Sequence, residues 1–447
     1  MNLFREAEWW RPESVPAIDS GRPAGSIASP PAPGSRLAFR ALMAFTFILV
    51  LAPQSFVPAL QPLRIALLAA AVGITAQLGE RVVHGRPVTV LGREMALVAA
   101  LVVWAAVTIP WSVWPGGSVS FLLDVYFKTV AIFWLLANTV DSVDRLQTLA
   151  WTLTVMAVPL ALTGLRNFLS GEYWGANRIL GYEAGLTANP NDLALMLNLL
   201  LPLGVALLLV SRSVLARSVL VGIILLEAAA VIVTFSRAGF LSLAASIVLY
   251  VWRMVRRGLA GWAVVAVLAC VAGATFLPGS YMARLATITN IDSDPTGSAQ
   301  NRWGDTEAAV RFVIANPLIG AGVGMDTEAL NRVRGITWTQ VHNIGLEYAV
   351  DLGLPGLALF TLLFASCVRR VRQVHRAPVD TPAGHRLSCL AEGVEIALWS
   401  FGVGALFAPV AYQFPFYYLA GLAVAVGVVH GKLVTTGETE PPLASAS

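Results

Sequence analysis

The chain has 447 residues, of which 57% are hydrophobic and 13% charged, with a mean hydropathy of +0.70. A water-soluble domain carries about a quarter charged residues, so this composition belongs in lipid. The net charge of +4 and pI near 9.1 do not mark a nucleic-acid binder, because the basic residues are scattered through short loops between apolar runs.

Residues 1–36 are rich in Pro, Gly, Ser and Ala and lack the order of a signal peptide, so they read as a disordered cytoplasmic tail. A membrane-spanning helix needs roughly 20 apolar residues. Runs of that kind start near Leu37, Leu63, Glu94, Val119, Leu146, Asn191, Val214, Ala238 and Leu259 within residues 37–278. Others start near His342, Ala391 and Pro415 within residues 342–434. The expectation is an all-α, polytopic membrane protein of about twelve spans. Residues 279–341 form a partly helical outer loop and residues 435–447 a second cytoplasmic tail. The Val214 and Ala238 helices are separated by "TFSRAG" and make a tight hairpin.

With a cytoplasmic N-terminus, the inner loops hold Arg81, Arg86, Arg93, Arg145, Arg212, Arg217, Arg253, Arg256, Arg257 and the run Arg369, Arg370, Arg372, Arg376 and Arg386. The opposite short loops hold little beyond Arg64, Arg166, Arg178 and Arg237. The positive-inside rule therefore puts both termini in the cytoplasm and the long loop in a periplasm-like space. Cys270, Cys367 and Cys389 have neither metal-ligand nor disulfide spacing. No phosphate-binding P-loop, dinucleotide fingerprint or HExxH zinc motif occurs.

Within the outer loop, "DSDPTGSAQNRW" reads as a turn and a helix start that Ser298 or Asn301 can cap. "TEAAVRFVIANPL" has the pattern of an amphipathic helix lying on the membrane, and "GAGVGMDT" that of tight turns. His342 opens the helix that follows. Inside the spans, Lys128 follows Asp124 at helical spacing and can pair with it, while Glu227 in "IILLEAAAVIV" has no visible partner.

The series "TFSRAGF", "NRW…A…NPLIGAGVG" and "HN…DLGLPG", preceded by "RILGYEAGLTANPNDLALMLNLLLP", resembles the O-antigen ligase family of membrane glycosyltransferases over roughly Arg178 to Gly356. The resemblance implies a GT-C-like fold in the bacterial inner membrane. It also implies a donor glycan on undecaprenyl diphosphate and an acceptor hydroxyl on a glycan or on lipid A-core, with no metal and no cofactor. A flippase and a chain-length regulator are the partners it suggests. Arg237 and Arg302 match the family arginines that grip the diphosphate, and His342 matches the histidine near the reacting centre. Asp351 matches an acidic position, and Gly345 departs from the larger residue common after the HN pair. Ligase, exopolysaccharide polymerase and protein O-oligosaccharyltransferase all share this pattern, and "TANPNDLAL" looks more like the polymerase branch.

The chemistry of these residue types fits. Guanidinium groups are always charged and bind phosphate bidentately, which suits a diphosphate leaving group. A histidine at a helix N-terminus is biased towards its neutral form and is available as a general base. Each residue also has a plain reading: His342 as a cap, Arg237 as a snorkelling side chain, and Arg302 as a partner of Asp305 or Glu307. Arg178 binds phosphate or pairs with Glu183 or Glu172, and Lys128 adds charge to the diphosphate cavity or pairs with Asp124. A secondary transporter of a small anion or solute also suits about twelve helices, and it predicts inverted repeats and a polar site at mid-depth.

Overall fold

The structure, a computed structural model, describes residues 34–174, 178–182, 185–274, 298–335 and 340–437. The tails at 1–33 and 438–447, and the loop residues 275–297 and 336–339, lie outside the described residues. The helices are α1 (Arg36–Leu51), α2 (Ile65–Val83), α3 (Arg93–Thr108), α4 (Pro115–Thr139), α5 (Val143–Ser170), α6 (Pro190–Val210) and α7 (Val214–Val233). They continue as α8 (Arg237–Arg256), α9 (Ala260–Ala274), α10 (Ser298–Ala315), α11 (Asp326–Arg334), α12 (Ile344–Arg376), α13 (Pro382–Ala405) and α14 (Phe414–Gly437). One hairpin of two-residue strands, β1 (Tyr173–Trp174) and β2 (Arg178–Ile179), joins α5 to α6 with Trp174 opposite Arg178.

Among the described residues, 10 helices are long and apolar enough to cross a membrane: all of these except α1, α9, α10 and α11. The protein is thus an all-helical, multi-pass membrane protein, with fewer qualifying spans than the expected count of about twelve. Helices do form at both of the other expected positions. However, α1 has 16 residues and gives way to a left-handed Ala52 and then Pro53, so its length is about 24 Å. Helix α9 has 15 residues and ends where the described residues end. Another difference is α13, expected near Ala391 and starting at Pro382, because the Thr381 side chain accepts the Gly384 N–H and Pro382 occupies the first turn.

At the centre lie α6 and α13. Beyond its first turn, helix α6 is apolar except for the buried Asn198, whose amide donates to the Gly239 carbonyl of α8 at 3.0 Å, and it packs against α5, α7, α8 and α13. Gly393 permits the α6–α13 approach: a Cβ there would lie 2.8 Å from both the Pro202 carbonyl oxygen and the Ala206 Cβ. On the periphery, Leu68, Val103, Leu225 and Trp252 stay exposed, a surface that suits lipid.

An ion-pair network ties α8, α12 and α13 together at one end. Arg253 bonds Glu395 at 2.6 Å and Glu392 at 3.2 Å, Arg257 pairs with Glu392, and Arg372 reaches Glu395 at 2.9 Å. Alongside, Glu94 of α3 takes Arg370 and Ser366 at 2.7 Å each. Because α8 and α12 both finish at this end and α13 begins there, Arg237, His342 and Ala405 all lie at the other. Within α4, Leu122–Tyr126 is a π turn, which shifts the residues after it around the axis. Asp124 and Lys128 therefore form no ion pair, and both are exposed.

Candidate active site

Helix α12 is broken at Gly353 (φ 67°, ψ −174°), leaving residues 344–352 as a separate N-terminal half. The glycine-rich segment 317–325 docks into the break. Ala321 donates to the Val350 carbonyl at 2.7 Å, Gly322 to the Asp351 carbonyl at 2.8 Å, and Leu354 to the Pro317 carbonyl at 2.8 Å. The buried Asp351 carboxylate accepts the N–H groups of Gly324 at 2.8 Å and Met325 at 3.0 Å. Gly320, Gly322 and Gly324 take φ of 74°, 96° and 71°, which makes this segment the series of tight turns expected from its sequence.

That docking holds α10 and α11 over the N-terminal half of α12, and a small second core of Ala308, Ala309, Met325, Leu330, Val341 and Val350 fills the space between. The two helical signals in the outer loop merge into the single helix α10. Its apolar residues divide: Ala308 and Ala309 are buried, whereas Trp303, Val310 and Ile314 are exposed.

His342 stands just ahead of the α12 cap. Asn343 accepts the Leu346 N–H on Oδ1 at 3.1 Å, and its amide donates to the Leu406 carbonyl at 3.2 Å. The half-buried imidazole has Nδ1 3.0 Å from the Gln340 carbonyl oxygen. A carbonyl can only accept, so this contact puts the proton on Nδ1 and leaves the Nε2 lone pair for an incoming group. Burial lowers the proton affinity of His342 below the ordinary histidine value, and the nearby Arg302 charge lowers it further, against the Gln340 carbonyl and Asp305. The Arg302 charge thus acts on His342. The acids considered as partners for Arg302 both carry another arginine: Asp305 pairs with Arg334, and Glu307 with Arg311 at 2.5 Å.

Arg237 starts α8 at the same end. Its turn is built by Phe235, left-handed at φ 53°, and by Ser236, whose side chain accepts the Gly239 N–H at 3.1 Å. The end of α13 spans the distance towards His342: Ser400 donates to the Ser242 carbonyl at 3.2 Å, while Leu406 receives Asn343. Arg178, in β2, also belongs to this end, since α6 begins just beyond its hairpin and a Cβ on Gly239 would press on Ala194 of α6. Lys128 does not join them. It sits on the exposed flank of α4, about 20 Å along the helix from Pro115.

Residues 222–361 match the family model described as O-antigen ligase. The chain carries an O-antigen ligase domain. That domain implies a membrane enzyme of the ligase or polymerase type. It starts inside α7 and ends in α12 just past the Gly353 break, so it holds Arg237, Arg302 and His342 and leaves Arg178 and Lys128 outside. No curated protein matches the chain.

Two further buried acids within the O-antigen ligase domain are tied to backbone groups. Glu347 is buried and accepts the Ala411 N–H at 2.9 Å, fastening the α13–α14 connection to the N-terminal half of α12. Asp326, also buried, accepts the Val341 N–H at 3.3 Å. Spacing in the sequence gives no signal for either, because each partner is a backbone group far along the chain. Glu227, singled out from the sequence, is fully buried in α7, and neither carboxylate oxygen has a hydrogen-bond partner among the described residues.

Proposed function

We propose that the protein is a glycosyltransferase of the O-antigen ligase and polymerase type, moving a glycan from undecaprenyl diphosphate to a sugar hydroxyl at the end bearing His342. The observation that carries this reading is the His342 ring, held through Nδ1 with Nε2 available and subject to the Arg302 charge. The acceptor hydroxyl gives its proton to Nε2 as its oxygen bonds to the anomeric carbon of the donor. The bond from that carbon to the phosphate oxygen breaks, and the electron pair leaves with the diphosphate. Arg237 and Arg302 take up the charge that develops on it, and fixed cations in a poorly hydrated site stabilise such a leaving group by several kcal/mol. Arg178 is the next candidate to bind phosphate, and no role is assigned to Lys128. No step requires a metal.

We assign the His342 end to the periplasmic face of a bacterial inner membrane and both termini to the cytoplasm. The positive-inside rule supports this, since Arg253, Arg257, Arg370 and Arg372 gather at the opposite end. A secondary transporter would instead leave the donor covalently unchanged.

The deciding experiment uses the full-length protein in nanodiscs with undecaprenyl-diphosphate glycans extracted from the host's own membranes. The wild type should transfer glycan in excess chelator, and His342→Ala should bind donor without transferring it. Donor recovered covalently unchanged from the wild type would sink the glycosyltransferase reading. Loss of transfer in chelator, restored by a divalent ion, would sink the metal-free step.

A further inference from the structure

One peptide unit joins two side chains at this site. The C=O of Gln340 receives Nδ1 of His342 at 3.0 Å, and the N–H of the same planar unit, belonging to Val341, donates to Oδ2 of Asp326 at 3.3 Å. Carboxylate, peptide and imidazole therefore form one continuous hydrogen-bonded series. Asp326 is buried at the start of α11; burial raises its proton affinity above the ordinary aspartate value, while the N–H groups of Val341 and Thr327 and the positive helix end act against that. The Val341 side chain is 1% exposed in the second core, so the peptide is held from its side chain as well as from its N–H.

We propose that Asp326 is a positioning residue for His342, acting through the Gln340–Val341 peptide. By accepting the N–H it fixes the plane of that peptide, and the plane fixes where the Gln340 carbonyl points. The carbonyl in turn fixes the tautomer and the angle of the imidazole. Hydrogen bonds in series polarise one another, so a carboxylate at one end also makes the carbonyl at the other a better acceptor for Nδ1–H and supports the imidazolium formed in turnover. A carboxylate acting directly on a catalytic histidine does the same work; here an amide stands between them. Arg302 and Asp305 of α10 are the charged groups that act on the ring.

This inference rests on His342 as the base. The test compares Asp326→Asn, which keeps an acceptor for the Val341 N–H, with Asp326→Ala and the similarly sized Asp326→Leu, which do not. Each is made in the full-length protein and assayed in nanodiscs with donor extracted from host membranes. Removing the acceptor should lower kcat roughly tenfold to a hundredfold, the scale on which groups orienting a reactive residue act. Donor KM should move less than about twofold, and Asn should recover most of the lost rate. The double variant with His342→Ala should be no slower than His342→Ala alone. Wild-type kcat in a no-acceptor variant would overturn the link, as would equal loss with Asn and Leu or a double variant slower than His342→Ala. If Ala does not yield folded protein, Asn against Leu still decides. A fully active His342→Ala would instead remove the base itself, so the two failures are distinguishable.

Discussion

The side chain of Asn343 joins two helices: Oδ1 accepts the Leu346 N–H at 3.1 Å to cap α12, and the amide donates at 3.2 Å to the Leu406 carbonyl beyond α13. The residue next to the proposed base is therefore held at both faces. Replacing Asn343 by Ala should cost about 1 kcal/mol, the usual worth of an N-cap, and lower the transfer rate. Asp at this position keeps the cap but not the amide donor, so it should restore stability more than activity. Thermal unfolding of the purified protein beside the transfer assay checks this, and an Ala variant unchanged in both would remove the role.

Arg237 and Arg302 should be sensitive to geometry as well as charge. Lys in place of either supplies a point charge without the planar fork, so it should recover only part of the transfer lost with Ala. Membrane expression should be unaffected in all four variants. Full activity with Lys would mean that charge alone matters, and full activity with Ala would dismiss the diphosphate clamp.

The pH profile has a defined sign. Burial and then Arg302 lower the proton affinity of His342, so its neutral form persists below the ordinary value of about 6.5. The acidic limb of kcat/KM should fall below that pH. The linked contribution to stability has the same direction: it is fully present above about pH 6.5 and is lost as pH falls through the depressed folded-state value. An acidic limb above 6.5, or one that survives in His342→Gln, would contradict the assignment.

Phe235 tests the hairpin that carries Arg237. Its left-handed backbone disfavours any side chain by roughly 1–2 kcal/mol, yet its ring is buried and packs 6.0 Å from Phe168. Substitution by Ala loses the packing and keeps the backbone cost, whereas Gly loses the packing and relieves it. Gly should therefore be less damaging than Ala by about 1 kcal/mol in unfolding measurements. The opposite order would mean that the turn relaxes when the ring goes.

Much of this architecture was legible from periodicity and punctuation. Apolar runs placed the helices and glycines at alternate positions announced the turns of 320–324, whereas the break of α12 at Gly353 was not foreseen. Helical spacing misled at Asp124 and Lys128, because Asp124 lies within the Leu122–Tyr126 π turn, which departs from the α-helical spacing, and nothing in the local sequence demands it. The link from Asp326 to His342 was invisible for another reason: its middle member is a peptide group, which every residue possesses. Likewise the count of spans depends on where α1 stops, a matter decided at Ala52 and Pro53 rather than by hydrophobicity.

The break at Gly353 also separates two mechanical regimes. A continuous rod would hand every adjustment to bilayer thickness on to whatever it bears at its tip. Here the C-terminal portion of α12 can lean with the surrounding lipid, while the N-terminal portion, fastened to Pro317, Ala321 and Gly322, keeps its own bearing. The imidazole is thus carried by a short segment that is fastened both to residues 317–322 and to the end of α13 and the α13–α14 connection, and not by the long portion of α12 alone.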